Sequence, residues 1–294
     1  LFKNLSIACQ LSKKIFRVLI VDMRTPFNTL YNNVSFCKKD KNIRKADTIQ
    51  RLTRLAFPVL SATYADTFYG CLSDGSSKQQ AASKISSGLM KRICSMRNNF
   101  AYAEKLAVYS QFDKKMIYIL DAIAKNKIGN CSENAKLALA VLCANGYCNS
   151  ALVGLAYEVK FINKKTNEVE YRKITNLDHA FVITDLNERK EKDIIIDTWL
   201  GFAAYNEEAT DRFKGLYGED LGNLVEMSKK LFRIEKMQKG QISENETIDF
   251  DNYEIRKGFK YLEGFTDNET MKEKEQLGEL VRKKYPEVVL SGTV

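Results

Sequence analysis

Apolar and polar residues follow two different periods along the chain, and the change falls near residue 146. Before that point apolar positions recur every three or four residues, which is typical of amphipathic helices. The clearest early example is residues 44–57, with apolar positions at 46, 49, 52, 55 and 56. Pro58 is expected to end this helix, because proline lacks the backbone donor that the next turn needs. Residues 1–125 are therefore predicted to form a mostly helical N-terminal region.

Two further helical segments are predicted within that region. Residues 78–96 keep the helical period, and Asn98 and Asn99 are expected to cap the segment that follows. That segment carries a broad apolar face over residues 100–123. It is predicted to be either one long helix or two helices separated near residues 111–113.

The segment from Ala135 to Cys143 has almost no polar face. A helix that is apolar on all sides is buried on all sides, so we expect this segment to form the central helix. Asn130 is its predicted N-cap, because Glu133 follows at the spacing of a capping box. Cys131 would then be the first helical residue. Asn145 and Gly146 are expected to end the helix in a left-handed turn.

After Gly146 the pattern favours strands. Residues 151–162 and the segment from Val169 predict a hairpin with its turn at 163–167. Further strands are predicted over 178–184 and 193–199, joined by a polar turn at 185–192. Residues 126–204 are therefore predicted to be an α+β core, in which a buried helix packs against an antiparallel sheet of three or four strands.

Residues 205–294 are predicted to form a C-terminal helical region that packs on this core. One helix face carries apolar residues at 221, 224, 225, 231 and 232. Residues 238–260 have weak patterning and predict a long loop, with a short element at 249–262. Thr266 and Glu269 have capping-box spacing and predict a last helix that runs to about Lys284.

Composition narrows the possible partners. The chain has 294 residues and a net charge of +9, with lysine and arginine distributed in pairs among acidic residues. No dense basic block or nucleic-acid-binding motif is present, so no nucleic-acid partner is expected and the charge is assigned to solubility or to an acidic partner. No apolar run approaches the roughly 20 residues that a bilayer-spanning helix requires. We therefore expect a soluble protein with no transmembrane segment.

The cysteines favour a reducing compartment. There are seven of them at irregular spacings, with no C-x-x-C motif and one histidine in the whole chain. A zinc site is therefore not expected, nor is any other metal or cofactor. Free thiols are expected, and a disulfide between Cys143 and Cys148 is left open.

A cysteine, a histidine and an aspartate stand in the order that a thiol nucleophile requires. A thiol attacks acyl groups as thiolate, which a helix N-terminus and a neighbouring imidazole both favour. Cys131 lies at a predicted helix N-terminus. His179 begins a predicted strand and Asp197 ends the next one, so a shared turn can bring the two together. Asp197 would then orient the ring and stabilise the imidazolium.

Other residues complete the predicted site. A developing oxyanion would face the backbone N–H groups of Cys131 and Ser132, with the side-chain amides of Asn126 or Asn130 as additional donors. Trp199 is expected to cover the site. Asp178 is interpreted as a turn residue, with a role as the orienting carboxylate as the alternative. Both are substrate-site candidates.

Each residue alone also has a simpler interpretation. A cysteine at a helix start is often a small buried apolar residue, a histidine beside a strand is often structural, and an aspartate after three isoleucines can simply mark a strand end. Glu133 is expected to be a cap rather than an acid. Catalysis is favoured because the cysteine, the histidine and the aspartate occur together, in this order and in a helix followed by a sheet.

Three segments carry a family resemblance: Gly129 to Ala135 (G-N-C-S-E-N-A), Asp178 to Val182 (D-H-A-F-V) and Ile195 to Trp199 (I-I-D-T-W). They resemble the papain-like and transglutaminase-like Cys-His-Asp superfamily, and most nearly its bacterial secreted effector and toxin domains. The resemblance implies that Cys131 is the nucleophile, His179 the base and Asp197 the orienting residue. Thr198 stands where that family usually has proline, and no glutamine matches the oxyanion-hole glutamine of papain-type proteases.

The resemblance also implies a function. It predicts a thiol-protease-like hydrolase acting on a protein substrate, secreted by a bacterium into the reducing cytosol of a host. A glutamine deamidase or a transglutaminase would use the same three residues. An effector module that binds a protein without catalysis is the alternative from another class.

Overall fold

The computed structural model describes residues 41–59, 77–104, 111–184, 194–263 and 270–290. Within these ranges the chain is mixed α and β, with one antiparallel sheet between helices. The elements are α1 (Lys41–Ala56), α2 (Ser77–Glu104), α3 (Phe112–Asn126), α4 (Cys131–Ala144), β1 (Ser150–Asn163), β2 (Val169–Thr184), β3 (Ile194–Asp197), β4 (Phe202–Tyr205), α5 (Asn206–Gln238), β5 (Tyr253–Glu263) and α6 (Met271–Lys284), with short 3₁₀ turns at Phe250–Asn252 and Pro286–Val288. Residues 1–40, a third of the predicted helical N-terminal region, lie outside the described residues.

The first helices follow the predicted period with two corrections. Helix α1 buries Ile43, Ala46 and Ile49, whereas Leu55, which the period placed on the same face, is 75% exposed. Asn98 and Asn99 do not cap a new helix, because α2 runs through them to Glu104. The burial of Met96 and Phe100 on either side keeps this turn helical despite the modest helix propensity of asparagine.

Of the two alternatives for residues 100–123, the structure shows the break near 111–113, since α3 begins at Phe112 with Gln111 as its N-cap. Residues 105–110 of the expected apolar face lie outside the described residues.

Helix α4 is the buried centre of the fold, as its composition predicts. Every side chain from Leu137 to Ala144 is at most 1% exposed. Cys131 is its first residue and Asn145 follows its last, and Gly146 adopts the left-handed conformation with φ of +81°. Helices α1, α3 and α6 and strands β1 and β2 pack around it. These positions confirm the predicted bounds and burial of the helix.

The sheet has the strand order β4-β3-β2-β1-β5. The β1–β2 hairpin is confirmed, but β2 is one long strand rather than two. It is interrupted by a bulge, because Leu155 pairs with His179 and Ala156 pairs with Asn176, which leaves Leu177 and Asp178 as extra residues. Strand β4 was not predicted. The polar turn predicted at 185–192 lies outside the described residues.

Residues 205–294 are not helical throughout, because the short element predicted at 249–262 is a 3₁₀ turn followed by a strand. Residues 253–263 form β5, an edge strand that pairs with β1 along its whole length. Its apolar residues Tyr253, Ile255, Phe259 and Tyr261 occupy every second position except at Lys257, and these four pack on the apolar face of the sheet. Glu254, Arg256 and Lys260 lie between them, so the segment looks polar overall and its period of two is easily overlooked.

Helix α5 covers the face of the sheet opposite α4. Phe213 packs on Phe181 and Phe202, and Phe232 stacks on Phe161 with ring centroids 4.7 Å apart. Of the residues predicted to share an α5 face, Leu221 and Phe232 are buried but Leu231 is 36% exposed. Among the described helices, none is both long and apolar enough to cross a bilayer.

The last helix begins slightly later than predicted. Thr266 and Glu269 lie outside the described residues, and α6 starts at Met271 with a capping box formed by Thr270 and Glu273. Gly278 lies where α6 crosses α4, and a Cβ atom there would be 2.3 Å from the carbonyl oxygen of Cys143. The absence of a side chain at Gly278 therefore sets the distance between the two helices.

Gly278→Ala is expected to destabilise the fold by about 1–3 kcal/mol, because the added methyl group forces α6 away from α4. Gly222→Ala in α5 is the matched control. Its Cβ would have no heavy atom within 4 Å, so the better helix propensity of alanine should leave stability unchanged or raise it by up to about 1 kcal/mol. Urea unfolding of both variants measures the difference, and equal stabilities would contradict the assigned contact.

Candidate active site

Cys131 occupies the first turn of α4. Asn130 is the N-cap, in an extended conformation with φ of −109° and ψ of −160°. The Cys131 side chain is half-buried, so its sulfur lies at the edge of the core rather than within it. The sulfur therefore belongs to the first turn of α4, at the positive end of the helix dipole.

Glu133 holds this turn together. Its Oε2 accepts a hydrogen bond from the Asn130 backbone N–H at 2.9 Å, and its side chain has no exposed surface. Arg97, from α2, donates two hydrogen bonds of 2.8 Å, from Nε to Oε1 and from Nη2 to Oε2. Burial alone would raise the pKa of Glu133, but the Arg97 guanidinium and the Asn130 N–H lower it below its usual value. Glu133 is therefore a buried carboxylate.

Gly129 makes room for that carboxylate. A Cβ atom at Gly129 would lie 2.5 Å from the Cβ atom of Glu133 and 3.1 Å from a methyl carbon of Val59. Any larger residue would therefore displace the side chain that caps α4. This contact is the physical reason for glycine two residues before the cysteine.

His179 and Asp197 form a buried pair at the point where β2 and β3 diverge. The last described pairing toward this end joins Val182 to Ile196. Beyond it, His179 Nε2–H donates to Asp197 Oδ2 at 2.6 Å, and the two side chains are 1% and 0% exposed. The second carboxylate oxygen, Oδ1, accepts the Leu200 backbone N–H at 2.9 Å. Both oxygens of Asp197 are thus fixed.

A tight turn supports the aspartate from behind. The Gly201 N–H donates to the Asp197 carbonyl oxygen at 2.8 Å, and Gly201 has φ of +78°, a conformation that favours glycine. A Cβ atom on Gly201 would also lie 2.3 Å from Nη1 of Arg54 in α1. Helix α1 therefore lies directly behind the turn that places the carboxylate.

The histidine is electrostatically tuned toward its charged form. Burial lowers its pKa, but the charge and hydrogen bond of Asp197, together with a hydrogen bond that the ring donates to the Cys131 sulfur, raise it to about 10. Since Nε2 is bonded to Asp197, the ring nitrogen left for the sulfur is Nδ1. The structure thus brings together Cys131, His179 and Asp197, as the sequence predicted. The arrangement suits a thiolate–imidazolium pair.

Aromatic rings enclose the imidazole. Trp199 lies 5.2 Å from it between ring centroids, Phe213 at 5.7 Å and Phe181 at 5.9 Å. Trp199 is 9% exposed, so this substrate-site candidate forms a wall over His179, as expected. The rings keep water from the ion pair, which strengthens its electrostatics.

The remaining candidates are less directly placed. Asn126 is exposed at the end of α3. Its side-chain amide donates to the Ala122 carbonyl oxygen at 2.8 Å, a contact within its own helix that does not support the predicted oxyanion role. Asn130 precedes Cys131 as the N-cap and Ser132 follows it on α4, and the oxyanion roles predicted for them stay predictions. Asp178 lies in the β2 bulge next to His179, and its side chain lies outside the described residues. The carboxylate that contacts the His179 ring is that of Asp197.

Sequence reasoning missed Arg97, Phe213 and the Leu200 N–H. Arg97 and Phe213 come from helices that carry no motif, and the Leu200 N–H is a backbone group just after the Ile195–Trp199 segment, so spacing could not reveal any of them. The one available signal was Glu133 itself, because a carboxylate beside a wholly apolar helix requires a cation. Among the described residues, no three His, Cys, Asp or Glu side chains are arranged to hold a metal ion.

No protein-family model matches the chain, and no curated protein matches it. The family resemblance of the three short segments therefore stays a prediction.

The charge state of His179 can be observed directly, because it is the only histidine in the chain. A side chain whose folded pKa lies near 10, against about 6.5 unfolded, keeps its proton through neutral pH and loses it only in strongly alkaline solution. Ring NMR signals of tag-free protein should show imidazolium throughout the neutral range. Asp197→Asn removes the main stabilising charge and should move the transition toward acid. A wild-type transition near pH 6.5, the unfolded value, would contradict this assignment.

Proposed function

We propose that the protein is a cysteine-dependent acyl-transfer enzyme that acts on a protein substrate. The observation that carries the proposal is the buried His179–Asp197 pair, joined at 2.6 Å and hydrogen-bonded to Cys131 at a helix N-terminus. Cys131 is the nucleophile, His179 the acid and base, and Asp197 the orienting residue. The free thiols of Cys94, Cys131, Cys143 and Cys148 fit the reducing environment that such a nucleophile needs.

The proposed reaction begins with the Cys131 proton already on His179, because the raised pKa of the imidazole favours the thiolate–imidazolium pair. The thiolate attacks an amide carbonyl carbon, a C–S bond forms, and the carbonyl electron pair moves to oxygen. The oxyanion would face N–H groups of the first α4 turn; losing one such donor typically costs about 2.7–4 kcal/mol. His179 then gives its proton to the departing amine as the C–N bond breaks, which leaves a thioester on Cys131.

The second half of the reaction decides the class of enzyme. If water resolves a thioester formed from a peptide bond, the outcome is proteolysis, which is the leading hypothesis. If the amide is a glutamine side chain, water gives deamidation and a lysine amine gives transglutamination. Delivery by a bacterium into a host cytosol belongs to the same proposal.

The shared first step can be tested with iodoacetamide at about pH 6, where an ordinary thiol is mostly protonated and unreactive. Peptide mapping should show Cys131 alkylated faster than Cys94, the exposed thiol on α2 that serves as an internal control. His179→Gln should slow labelling of Cys131 by about 10²-fold or more, since the imidazole no longer takes the proton.

Cys131→Ala should remove the labelled peptide while leaving labelling of Cys94 unchanged. Equal rates at Cys94 and Cys131 in the wild type would favour the non-catalytic binding module instead.

The three reaction classes differ in what they leave on a partner protein. Wild-type protein incubated with a lysate should produce, by mass spectrometry, new chain termini if it is a protease. Conversion of a glutamine amide to an acid would identify a deamidase, and a glutamine–lysine crosslink a transglutaminase. The change must be absent with Cys131→Ala. Binding without any covalent change would overturn the catalytic proposal.

A further inference from the structure

Arg97 reaches the start of the catalytic helix from α2, outside the three segments that carry the sequence motif. Its guanidinium makes two parallel hydrogen bonds of 2.8 Å to the Glu133 carboxylate. Glu133 in turn accepts the N–H of Asn130, the residue before Cys131. Three hydrogen bonds therefore connect α2, through Glu133, to the backbone next to Cys131.

Without Arg97, Glu133 would conflict with the nucleophile. A carboxylate with no exposed surface, two residues from Cys131, places a second negative charge beside the thiolate that the chemistry needs. Like charges in a shared low-dielectric site disfavour one another. The side chain nevertheless cannot simply be absent, because it caps the first turn of α4.

The Arg97 cation resolves this conflict. It cancels the charge of Glu133 where that charge is buried, and a bidentate guanidinium fixes the carboxylate plane as lysine cannot. The pKa of Arg97 is raised, first by its hydrogen bond to Glu133 against the effect of burial, and also by the charges of Glu133, Cys131 and Cys94. Attraction is mutual, so a cation that Cys131 thiolate stabilises also stabilises the thiolate.

We propose that Arg97 is a positioning residue of this site, which orients the first turn of α4 through Glu133 and supplies the positive charge that lets Cys131 exist as thiolate. The inference rests on the proposed function, since it assigns a role at the same sulfur. The charged or titratable groups around this corner are Arg97 and Cys94 from α2, His179 from β2, Asp197 from β3, and Glu133 and Lys136 on α4 itself.

A purely mechanical role for the pair makes a different prediction. If Arg97 only held α2 against α4, its loss would lower the stability of the fold and leave the pH dependence of Cys131 reactivity unchanged. If Arg97 acts through charge, removing it should shift that pH dependence, and removing Glu133 as well should largely reverse the shift.

The test measures the rate of iodoacetamide alkylation at Cys131, by peptide mapping, across a pH series. In Arg97→Met the pH of half-maximal rate should rise by about one unit, the lower end of what one nearby charge produces. Arg97→Lys keeps the charge and should move the midpoint less. Arg97→Met with Glu133→Gln should return it toward the wild-type value. Arg92→Met, at an exposed arginine on the same helix, should leave it unchanged.

The inference is overturned if Arg97→Met and wild type share one midpoint, or if the double variant shifts as far as the single one. If Arg97→Met fails to fold, the alkylation midpoints of Arg97→Lys and of the double variant are each compared with the wild-type midpoint. A shift of about one unit in the double variant then overturns the inference. If wild-type Cys131 reacts no faster than Cys94 at about pH 6, the proposed function fails and this inference with it. If wild-type Cys131 is reactive but the alkylation midpoint of Arg97→Met is unshifted, only this inference fails.

Discussion

The buried ion pair between His179 and Asp197 is the interaction on which the arrangement of the site depends. Two charges with almost no exposed surface are costly unless geometry and additional hydrogen bonds compensate. The sheet supplies the geometry, because β3 ends where the pair forms, and the Leu200 N–H satisfies the second carboxylate oxygen. The aromatic rings around the imidazole then raise the strength of the pair by excluding water. The pair and its apolar enclosure are parts of one arrangement.

Helix α4 connects that pair to the rest of the molecule. Its N-terminus carries Cys131, and its C-terminus is fixed by residues far along the chain. Asn145 donates to the Val288 carbonyl oxygen at 2.9 Å and accepts the Leu290 N–H at 2.8 Å, and Arg282 donates to the Ala144 carbonyl oxygen. The C-terminal segment thus fixes the axial position of the helix whose other end holds the sulfur.

The sequence predicted several features correctly from short-range patterns. Periodicity, capping residues and order along the chain predicted the bounds of α4, the β1–β2 hairpin and the grouping of Cys131, His179 and Asp197. The short element predicted at 249–262 was not recognised as strand β5, because only one of its faces is apolar and its period of two is weak. Arg97 was missed because its partner Glu133 lies 36 residues away, and no local rule connects the two. The extension of α2 through Asn98 depends on burial of its neighbours, a tertiary effect that overrides propensity.

The β2 bulge has a consequence for how this fold tolerates change. It adds two residues, Leu177 and Asp178, opposite the junction of Leu155 and Ala156. An even insertion preserves the alternation of faces, so His179 keeps the side of the sheet that Thr175 also occupies. Loss of a single residue there would break the alternation between Asn176 and His179, so the imidazole would keep its face only if a one-residue bulge remained. Loss of both would make Asn176 and His179 adjacent, opposite Ala156 and Leu155, which keeps the imidazole on its face and removes the bend that the bulge adds. Sequence variation at this bulge is therefore expected in steps of two, and each step would change the bend of β2 beside His179.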